Sequence, residues 1–440
     1  MNLKNRLYSF LNRDVFLQTI LRAGRYRTII TPEDIKSYQI KRFNIVWKDA
    51  FSNIPFYIEW KKKHHLPDKI LDLEELVNWP VVTKKKLQEN RQSLLRNNIK
   101  PTGYIKTGGS TGEPLHLPTW SDRETSPSMW LGRAAYGIEP GTKTFLIWGH
   151  HHLYGKGILR RINVSKRIAK DWLSNMKRIS AYDISENAMF KAFYKFNKFQ
   201  PEFIIGFSAS VLSFVRVNRN NKEQRNFKIK AVLCTAGPLS VSETEEISLF
   251  FNAPVCMEYG SAECGVIAYT EPGNKEYIAF WDTHLLQGIK DDFGEIKNIV
   301  TRLTNCYFPL IRYDIGDYLE FKNEFDFNSI YKIKIVKGRP SDMVKLNDGT
   351  AFFGAIIGDC VKQVETVVAN QLNVYQNGII INVVALKHLQ ESELSLIKSR
   401  LISIVPGLQK HNVIITQVED LHKTIAGKIP LVVYHETNVV

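Results

Sequence analysis

Short β-rich runs alternate with helical stretches over residues 100–335 of this 440-residue chain. Four runs have the apolar composition of buried strands: 145–148, 203–205, 231–234 and 254–256. Helical periodicity occupies 186–199 and 240–251 between them. Because strands that are separated by helices favour parallel pairing, the pattern predicts a multi-layer α/β fold with mainly parallel sheets. Sheets of this kind bind ligands where their strands end.

The two ends of the chain have other patterns. Residues 1–100 predict mainly helix, for example at 33–50 and 71–78. Beyond residue 338 the pattern predicts a compact α+β unit, with helices at 354–365 and 391–404 and strands at 378–385 and 412–416. A chain of 440 residues exceeds the usual size of a single core. We therefore expect an N-terminal domain at 1–337, a hinge at 338–342 and a small mobile α+β domain at 343–440.

Residues 107–115 read Thr-Gly-Gly-Ser-Thr-Gly-Glu-Pro-Leu, a loop sequence rich in glycines and hydroxyl groups. Glycines let backbone N–H groups come close to phosphate oxygens, and the hydroxyls of Thr107, Ser110 and Thr111 add hydrogen-bond donors. The Walker pattern ends in Gly-Lys-Ser/Thr, whereas a glutamate follows Gly112 here. The loop therefore predicts a polyphosphate cradle of another type, and an ordinary surface loop is the alternative.

Further motifs follow this loop in order along the chain. They are Glu-Tyr-Gly-Ser-Ala-Glu at 258–263, Ile-Arg-Tyr-Asp-Ile-Gly-Asp at 311–317, Gly-Arg-Pro-Ser-Asp at 338–342 and His-Lys-Thr-Ile-Ala-Gly-Lys at 422–428. Two stretches precede it, Ile-Pro-Phe-Tyr at 54–57 and Trp-Pro-Val-Val-Thr-Lys at 79–84. The ordered series resembles the adenylate-forming superfamily of acyl-CoA synthetases, adenylation domains and luciferases. Within it, the chain is most similar to the phenylacetate-CoA ligase branch and its CapK-like relatives of capsule biosynthesis.

The resemblance implies that ATP activates a small carboxylic acid, and it assigns the groups that act on the phosphates. The loop residues would hold the β- and γ-phosphates: Thr107, Gly108, Gly109, Ser110, Thr111 and Gly112. Glu263 matches the magnesium-binding glutamate, a fitting ligand because Mg²⁺ prefers hard oxygens. Lys428 matches the catalytic lysine of the mobile domain, whose compact charge bridges the α-phosphate and the substrate carboxylate. Catalysis of this type rests on positioning and electrostatics.

The resemblance also assigns the nucleoside contacts. Tyr259 matches the aromatic residue that lies against adenine, and Arg339 matches the arginine near the ribose and the phosphates. Asp317 matches the aspartate that binds both ribose hydroxyls, since an ionised carboxylate accepts two hydrogen bonds well. The remaining members of the predicted nucleotide-binding set are Gly237, Glu258, Gly260 and Ser261.

Each charged residue of this set also has a purely structural interpretation. Glu263 is a surface acid in that interpretation, and Asp317 and Arg339 form a structural ion pair. Tyr259 becomes a core residue, and Lys428 a solvated residue of the C-terminal tail. The presence of Glu263, Asp317, Arg339 and Lys428 together argues against a catalytically inactive relative.

Three positions depart from the superfamily pattern. Leu115 stands where many members have lysine, although the phenylacetate branch also lacks it. Ser341 occupies the usual position of an acidic hinge residue and precedes Asp342, so we expect the domain rotation to pivot differently. Ile425 lies where smaller polar residues are usual. None of these departures removes a catalytic charge.

The formal net charge of +15 favours anionic partners. Residues 156–178 contain eight basic residues against the single acid Asp171, with isoleucines and a tryptophan between them. This segment predicts either contact with an anionic membrane or phosphorylated acceptor, or a solvated helix face. No nucleic-acid recognition motif occurs, so we expect no nucleic-acid partner.

The cysteine pattern and the apolar stretches bear on location. Five cysteines without a Cys-x-x-Cys motif fit a reducing cytoplasm, and we expect neither a disulfide framework nor a structural zinc. No apolar stretch is long enough to cross a bilayer or to resemble a secretory signal. We expect a cytoplasmic protein that makes peripheral contact with the inner face of the membrane.

Adjacent histidines at 150–152 are poor chelators on a strand and are assigned to a loop or an acyl-pocket rim.

The leading hypothesis is an ATP- and Mg²⁺-dependent enzyme that forms an acyl-adenylate, releases pyrophosphate and then transfers the acyl group. CoA is the first acceptor considered, and a sugar amine, a sugar hydroxyl or a carrier is the alternative. A hypothesis of another class is a catalytically inactive scaffold that binds nucleotide or glycan. A third is a peripheral membrane or nucleic-acid protein that acts through the basic segment.

Overall fold

The computed structural model describes most of the chain. The described residues are 13–29, 31–106, 115–120, 125–148, 157–181, 186–221, 227–291, 294–304, 308–320, 329, 331–338, 343–354, 356–361, 364, 366–423 and 429–437. Two compact units share these residues. Unit 1 comprises Met1–Glu139 and Met257–Lys337, and unit 2 comprises Pro140–Cys256 and Gly338–Val440. The predicted hinge stays a prediction, since residues 339–342 lie outside the described residues.

The helices and strands are numbered here in chain order. The helices are α1 (Arg13–Thr28), α2 (Pro32–Asn53), α3 (Pro55–Lys63), α4 (Lys84–Glu89), α5 (Thr125–Ala134), α6 (Gly157–Leu173), α7 (Glu186–Phe199), α8 (Ser208–Asn218), α9 (Val241–Phe251), α10 (Ile356–Val361) and α11 (Glu391–Ile404). Short 3₁₀ helices span Leu73–Asn78, Arg91–Leu94 and Pro406–Lys410. The strands are β1 (Gly103–Lys106), β2 (His116–Thr119), β3 (Thr144–Ile147), β4 (Met176–Ile179), β5 (Phe203–Phe207), β6 (Ala231–Thr235), β7 (Val255–Ser261), β8 (Gly265–Thr270), β9 (Tyr277–Ala279), β10 (His284–Lys290), β11 (Ile296–Arg302), β12 (Tyr313–Glu320), β13 (Lys332–Ile333), β14 (Ile335–Gly338), β15 (Met343–Lys345), β16 (Ala351–Phe353), β17 (Val367–Tyr375), β18 (Gly378–Ala385), β19 (Asn412–Gln417) and β20 (Val432–Tyr434).

Unit 2 contains the parallel sheet that the sequence predicts. Four of its strands pair in parallel in the order β6–β5–β3–β4. All four residues of β3 are buried, and so are the first four residues of β5 and of β6. Because strands that are buried on both faces are apolar throughout, each of them is visible in the sequence as a short apolar run. The helices predicted at 186–199 and 240–251 are α7 and α9. The α/β fold class is therefore confirmed.

The C-terminal part of unit 2 forms a second sheet in the order β19–β18–β17–β20. Strands β17 and β18 are an antiparallel hairpin, and β19 and β20 join it in parallel at its two edges. Helix α11 begins with a capping box between Gln390 and Glu393 and buries Ile397 and Leu401. The helix predicted at 391–404 and the strands predicted at 378–385 and 412–416 are thus present, whereas the helix predicted at 354–365 is described only over Ile356–Val361.

Unit 1 is built mainly from helices and antiparallel sheets. Its sheets have the strand orders β10–β11–β12–β14 and β13–β9–β8–β7. Neighbouring strands in sequence pair directly through short turns, as β10 does with β11 and β7 does with β8. The alternation of strands and helices in the sequence does not predict these antiparallel sheets.

The two N-terminal motifs form part of the core of unit 1. Trp47 is fully buried, and its ring centroid lies 4.9 Å from that of Trp79. The ring of Tyr57 stacks on Phe308, and its hydroxyl donates to the carbonyl of Pro309 over 2.6 Å. Val82 exchanges backbone hydrogen bonds with the segment that enters β12. These motifs therefore support the 311–317 segment by packing.

The described cysteines, at positions 234, 256, 264 and 360, are buried. Burial raises the pKa of the Cys234 and Cys264 thiols, which keeps them protonated. They behave as small apolar side chains, as expected for Cys256 and Cys264. Among the described helices, none is long and apolar enough to cross a membrane.

A buried ion cluster anchors α1 within unit 1. The Arg22 guanidinium donates to both carboxylate oxygens of Asp282, at 2.7 Å from Nε for one of them. Arg25 Nη1 and the Tyr26 hydroxyl also donate to Asp282, at 2.9 and 3.1 Å. Burial alone would raise the pKa of Asp282, but the charge and hydrogen bonds of Arg22, followed by Arg25, outweigh it and lower that pKa.

We expect Asp282→Asn to destabilise unit 1 by about 3–5 kcal/mol, because Arg22 is left buried without its counter-charge. The wild-type pKa of Asp282 is depressed, so its contribution is present above the unfolded value of about 3.9 and is lost as the pH falls through the folded value. Urea denaturation of both proteins between neutral and acid pH measures the two effects. The control Asp68→Asn removes an exposed partner of Lys61 and should leave the midpoint unchanged.

Candidate functional site

The β7–β8 hairpin carries the 258–263 motif, and its two strands approach each other closely at Gly260. A Cβ atom on this residue would lie 2.2 Å from the carbonyl oxygen of Gly265 and 2.9 Å from Cα of Val266. The register of the strand pair shifts between Tyr259 and Gly260, which is a β-bulge. Ser261 closes the turn by accepting a hydrogen bond from the backbone N–H of Cys264 at 3.1 Å. Only glycine allows this close approach of the two strands.

Tyr259 lies inside β7, which extends beyond the run predicted at 254–256 because it pairs with β8. Its hydroxyl donates to Asp317 Oδ2 over 2.8 Å and accepts from Asn298 Nδ2 over 2.9 Å. Burial first, and then the charge of Asp317, raise the pKa of Tyr259 well above its ordinary value. The phenol therefore stays protonated and serves as a permanent donor to the carboxylate.

Asp317 is buried on β12, next to a local irregularity of the strand. Gly316 has a φ of +80°, and its N–H donates to Asp314 Oδ1 over 2.9 Å. Burying an ionised carboxylate costs free energy unless hydrogen-bond donors surround it, and Tyr259 supplies one such donor. A carboxylate has about four lone-pair sites, so Asp317 retains capacity for donors from a bound molecule.

Asn298 on β11 completes this three-residue network. Its side-chain amide donates to Tyr259, while its Oδ1 is buried without a hydrogen-bond partner among the described residues. Buried acceptors are nearly always satisfied, so this oxygen is an exception within the network. No motif in the sequence pointed to Asn298.

Glu263 is buried at the turn of the hairpin, and several groups fix it. The Tyr313 hydroxyl donates to its Oε1 over 3.2 Å, and Arg302 Nη1 donates to its backbone carbonyl over 3.3 Å. His284 Nε2 lies 2.9 Å from the carbonyl of Cys264. Burial lowers the pKa of His284 to about 3, so the ring is neutral at physiological pH and Nε2 carries the proton that the carbonyl accepts.

Glu258 has a clear partner in unit 1. Arg133 on α5 donates to both of its carboxylate oxygens, at 2.9 and 3.2 Å, and both side chains are buried. The bidentate pair ties α5 to β7. Its part in nucleotide binding stays a prediction.

Gly237 belongs to unit 2, where its carbonyl accepts a hydrogen bond from the Ser208 hydroxyl over 2.7 Å. The preceding Ala236 has a φ of +65°, so the backbone turns sharply after β6. A Cβ atom on Gly237 would meet nothing within 4 Å. The predicted nucleotide contact of Gly237 stays a prediction.

Several predicted residues lie outside the described residues. These are the loop residues Thr107, Gly108, Gly109, Ser110, Thr111 and Gly112, together with Arg339, Lys428 and the histidines at 150–152. Their assigned roles stay predictions. In unit 1 the structure does join Tyr259 to Asp317 and Glu263 to Tyr313, so the 258–263 and 311–317 motifs, separated in sequence, are in contact.

Glu263 is the described candidate for holding a divalent ion. No group of three or more His, Cys, Asp or Glu side chains suited to a metal occurs in the described part of the chain. Mg²⁺ in nucleotide enzymes commonly binds one or two carboxylates together with substrate phosphates and water. A single buried carboxylate oriented by Tyr313 fits that mode, and it does not fit an all-protein metal cage.

No family model matches the chain. Protein CapK of Staphylococcus aureus is 28% identical over 321 residues, covering 71% of this chain and 69% of CapK.

Two solved structures have a similar fold. The crystal structure of 2-hydroxyisobutyryl-CoA ligase in the postadenylation state with 2-HIB-AMP aligns with a TM-score of 0.71 at 15% identity, over 93% of this chain and 92% of that one. That of the anthranilate CoA ligase AuaEII with anthranoyl-AMP aligns with a TM-score of 0.50 at 12% identity, over 74% and 64%. The chain is therefore similar to CapK and has the fold of adenylate-forming CoA ligases, which confirms the resemblance to this superfamily and to CapK-like proteins.

Proposed function

We propose that this protein is an ATP-dependent ligase that activates a small carboxylic acid as its acyl-adenylate. The observation that carries the proposal is the 2.8 Å hydrogen bond between Tyr259 and Asp317, which joins two motifs of the resemblance in one buried network. A fold similar to ligases that were crystallised with acyl-AMP supports it. In the reaction, a carboxylate oxygen of the acid attacks the α-phosphorus of ATP, and pyrophosphate leaves.

The nucleoside half of ATP would bind at the Tyr259 network. Asp317, which is buried and accepts a hydrogen bond from Tyr259, would accept further hydrogen bonds from the two ribose hydroxyls.

The phosphate half would contact Glu263, and the resemblance assigns the loop 107–112 and Lys428 to the same phosphates. Glu263 would hold Mg²⁺, which when bound neutralises charge on the phosphate oxygens. Tyr313 and Arg302 fix the position of Glu263 and act as positioning residues. Lys428 and Arg339 would stabilise the charge that develops on the α-phosphate as the acid attacks.

The acyl acceptor has two candidates. Transfer to CoA follows from the phenylacetate-CoA ligase-like motifs, and crystal structures of 2-hydroxyisobutyryl-CoA ligase contain CoA. Transfer to a sugar amine, a sugar hydroxyl or a carrier follows from the similarity to CapK. The proposed location of either activity is the cytoplasm.

Pyrophosphate exchange with a library of small carboxylic acids tests the proposal. We expect exchange that depends on both Mg²⁺ and one class of acid, and that EDTA abolishes. Acceptor-dependent AMP release then separates the candidates, since CoA stimulates it for one and amino sugars for the other. Nucleotide binding without exchange for any acid would instead support an inactive scaffold.

The first variant that tests the site is Asp317→Ala. We expect it to weaken ATP binding by about 1.5–3 kcal/mol, the range for hydrogen bonds to a charged group, which is roughly 10- to 150-fold in Kd. Isothermal calorimetry measures this, and circular dichroism checks the fold. Glu320→Ala removes a carboxylate from the same strand that binds Lys334, and it should leave ATP affinity unaltered. Equal affinities of wild type and Asp317→Ala would refute the assignment.

The second variant is Lys428→Ala. We expect the adenylation rate to fall by roughly 10²–10³, as when one transition-state charge partner is removed, with a smaller effect on substrate binding. Single-turnover formation of acyl-AMP measures the first half-reaction directly. The control Lys423→Ala removes a lysine of the same tail that pairs with Asp420. A first half-reaction of undiminished rate in Lys428→Ala would contradict the role.

A further inference from the structure

Helix α6 in unit 2 presents apolar side chains to solvent. Ile162, Ile168 and Trp172 are 44%, 63% and 66% exposed. At 3.6 residues per turn, these positions fall within one arc of about 120° on the helix surface. Ala169 lies in the same arc and is also exposed. An ordinary surface helix packs such a face on the core.

The opposite side of α6 is the side that contacts the protein, and it is polar. Asp171 is buried there, and Arg178 donates to both of its oxygens at 2.8 and 3.0 Å. Arg167 Nε lies 3.6 Å from the same carboxylate. Asp171 is the only acid in 156–178, and its carboxylate pairs with arginines on the side of the helix that contacts the protein. The outward side of this segment therefore has no acidic side chain to balance its basic residues.

Basic side chains lie along one border of the apolar arc and within it. Lys166 and Lys170 are exposed one turn apart along the border, and Arg161 is exposed inside the arc, between the directions of Ile168 and Trp172. The helix contains five basic residues and one acid in its 17 positions, so it extends about 25 Å with a strongly positive surface. An outward tryptophan and isoleucines among lysines and arginines are the composition of helices that lie in a membrane interface.

We propose that α6 is a docking surface for an anionic lipid bilayer, with its axis parallel to the membrane and the arc of Ile162, Ile168 and Trp172 inserted among the acyl chains. Charge complementarity favours an anionic bilayer over other binding partners. A second copy of the chain would bring two positive helices together, which is unfavourable. Nucleic acid would engage the lysines and arginines but would give the isoleucines no apolar partner. The proposal does not depend on the proposed ligase activity.

Co-sedimentation of the full chain with vesicles tests the proposal. We expect binding to phosphatidylglycerol/phosphatidylcholine vesicles that weakens as salt is added, and little binding to phosphatidylcholine alone. The fluorescence of Trp172 should shift to shorter wavelength on binding, and Trp172→Phe should remove that shift from the wild-type signal. Equal binding to neutral and anionic vesicles would overturn the proposal.

Two paired variants separate the apolar and the basic contributions. Ile168→Ser with Trp172→Ser should reduce partitioning about tenfold or more, because two large side chains lose their apolar environment. Lys166→Gln with Lys170→Gln should weaken binding and reduce its salt dependence. The matched control is Leu249→Ser on the acidic helix α9, where the side chain is 82% exposed, and it should bind as the wild type does. All these residues are exposed, so unchanged melting temperatures are expected.

Other occupants give distinct results. If size-exclusion chromatography shows a dimer that Ile168→Ser with Trp172→Ser dissociates, the face is an interface between copies and the membrane proposal fails. It fails equally if that pair of substitutions leaves vesicle binding unaltered. Salt-sensitive DNA binding without vesicle binding would also overturn it.

Discussion

The close approach of β7 and β8 at Gly260 determines the geometry of the candidate site in unit 1. The register shifts here by one residue of β8, and on β7 Tyr259 meets β11 and β12 while Glu263 lies in the turn that follows. A side chain at residue 260 would push the strands apart by contact with the backbone of Gly265. The hairpin that carries Tyr259 and Glu263 therefore requires glycine at residue 260.

The site is rigid because buried donors hold its two carboxylates. Tyr259 is a donor that stays protonated at any physiological pH, and Tyr313 plays the equivalent part for Glu263. The neutral His284 and the charged Arg302 bind consecutive carbonyls of the turn. Groups that are arranged before a ligand arrives need little reorganisation when charge develops, which is the electrostatic requirement of phosphoryl chemistry.

Local patterns in the sequence predicted much of the fold, and the reason is visible in particular elements. Strands β5 and β6 are buried on both faces, so each is a continuous apolar run, and α11 carries its own cap. The antiparallel extension of β7 depends on its partner β8 and has no local signal. Motifs identified Tyr259, Glu263 and Asp317 as candidates. Asn298 and Arg133 could not be found in this way, because they reach their partners across 39 and 125 residues of chain through the topology.

Segments of the two units alternate along the chain, and this order affects how the chain folds during synthesis. Unit 1 needs Met257–Lys337 to complete Met1–Glu139, and the guanidinium of Arg22 meets its counter-ion only 260 positions later. Until the ribosome has passed Asp282, α1 carries an uncompensated charge on a surface destined for burial. Contacts of such long sequence separation form slowly because loop closure must precede them. The nascent polypeptide is thus exposed to premature association for most of its translation, and chaperone engagement is the expected biological counterpart.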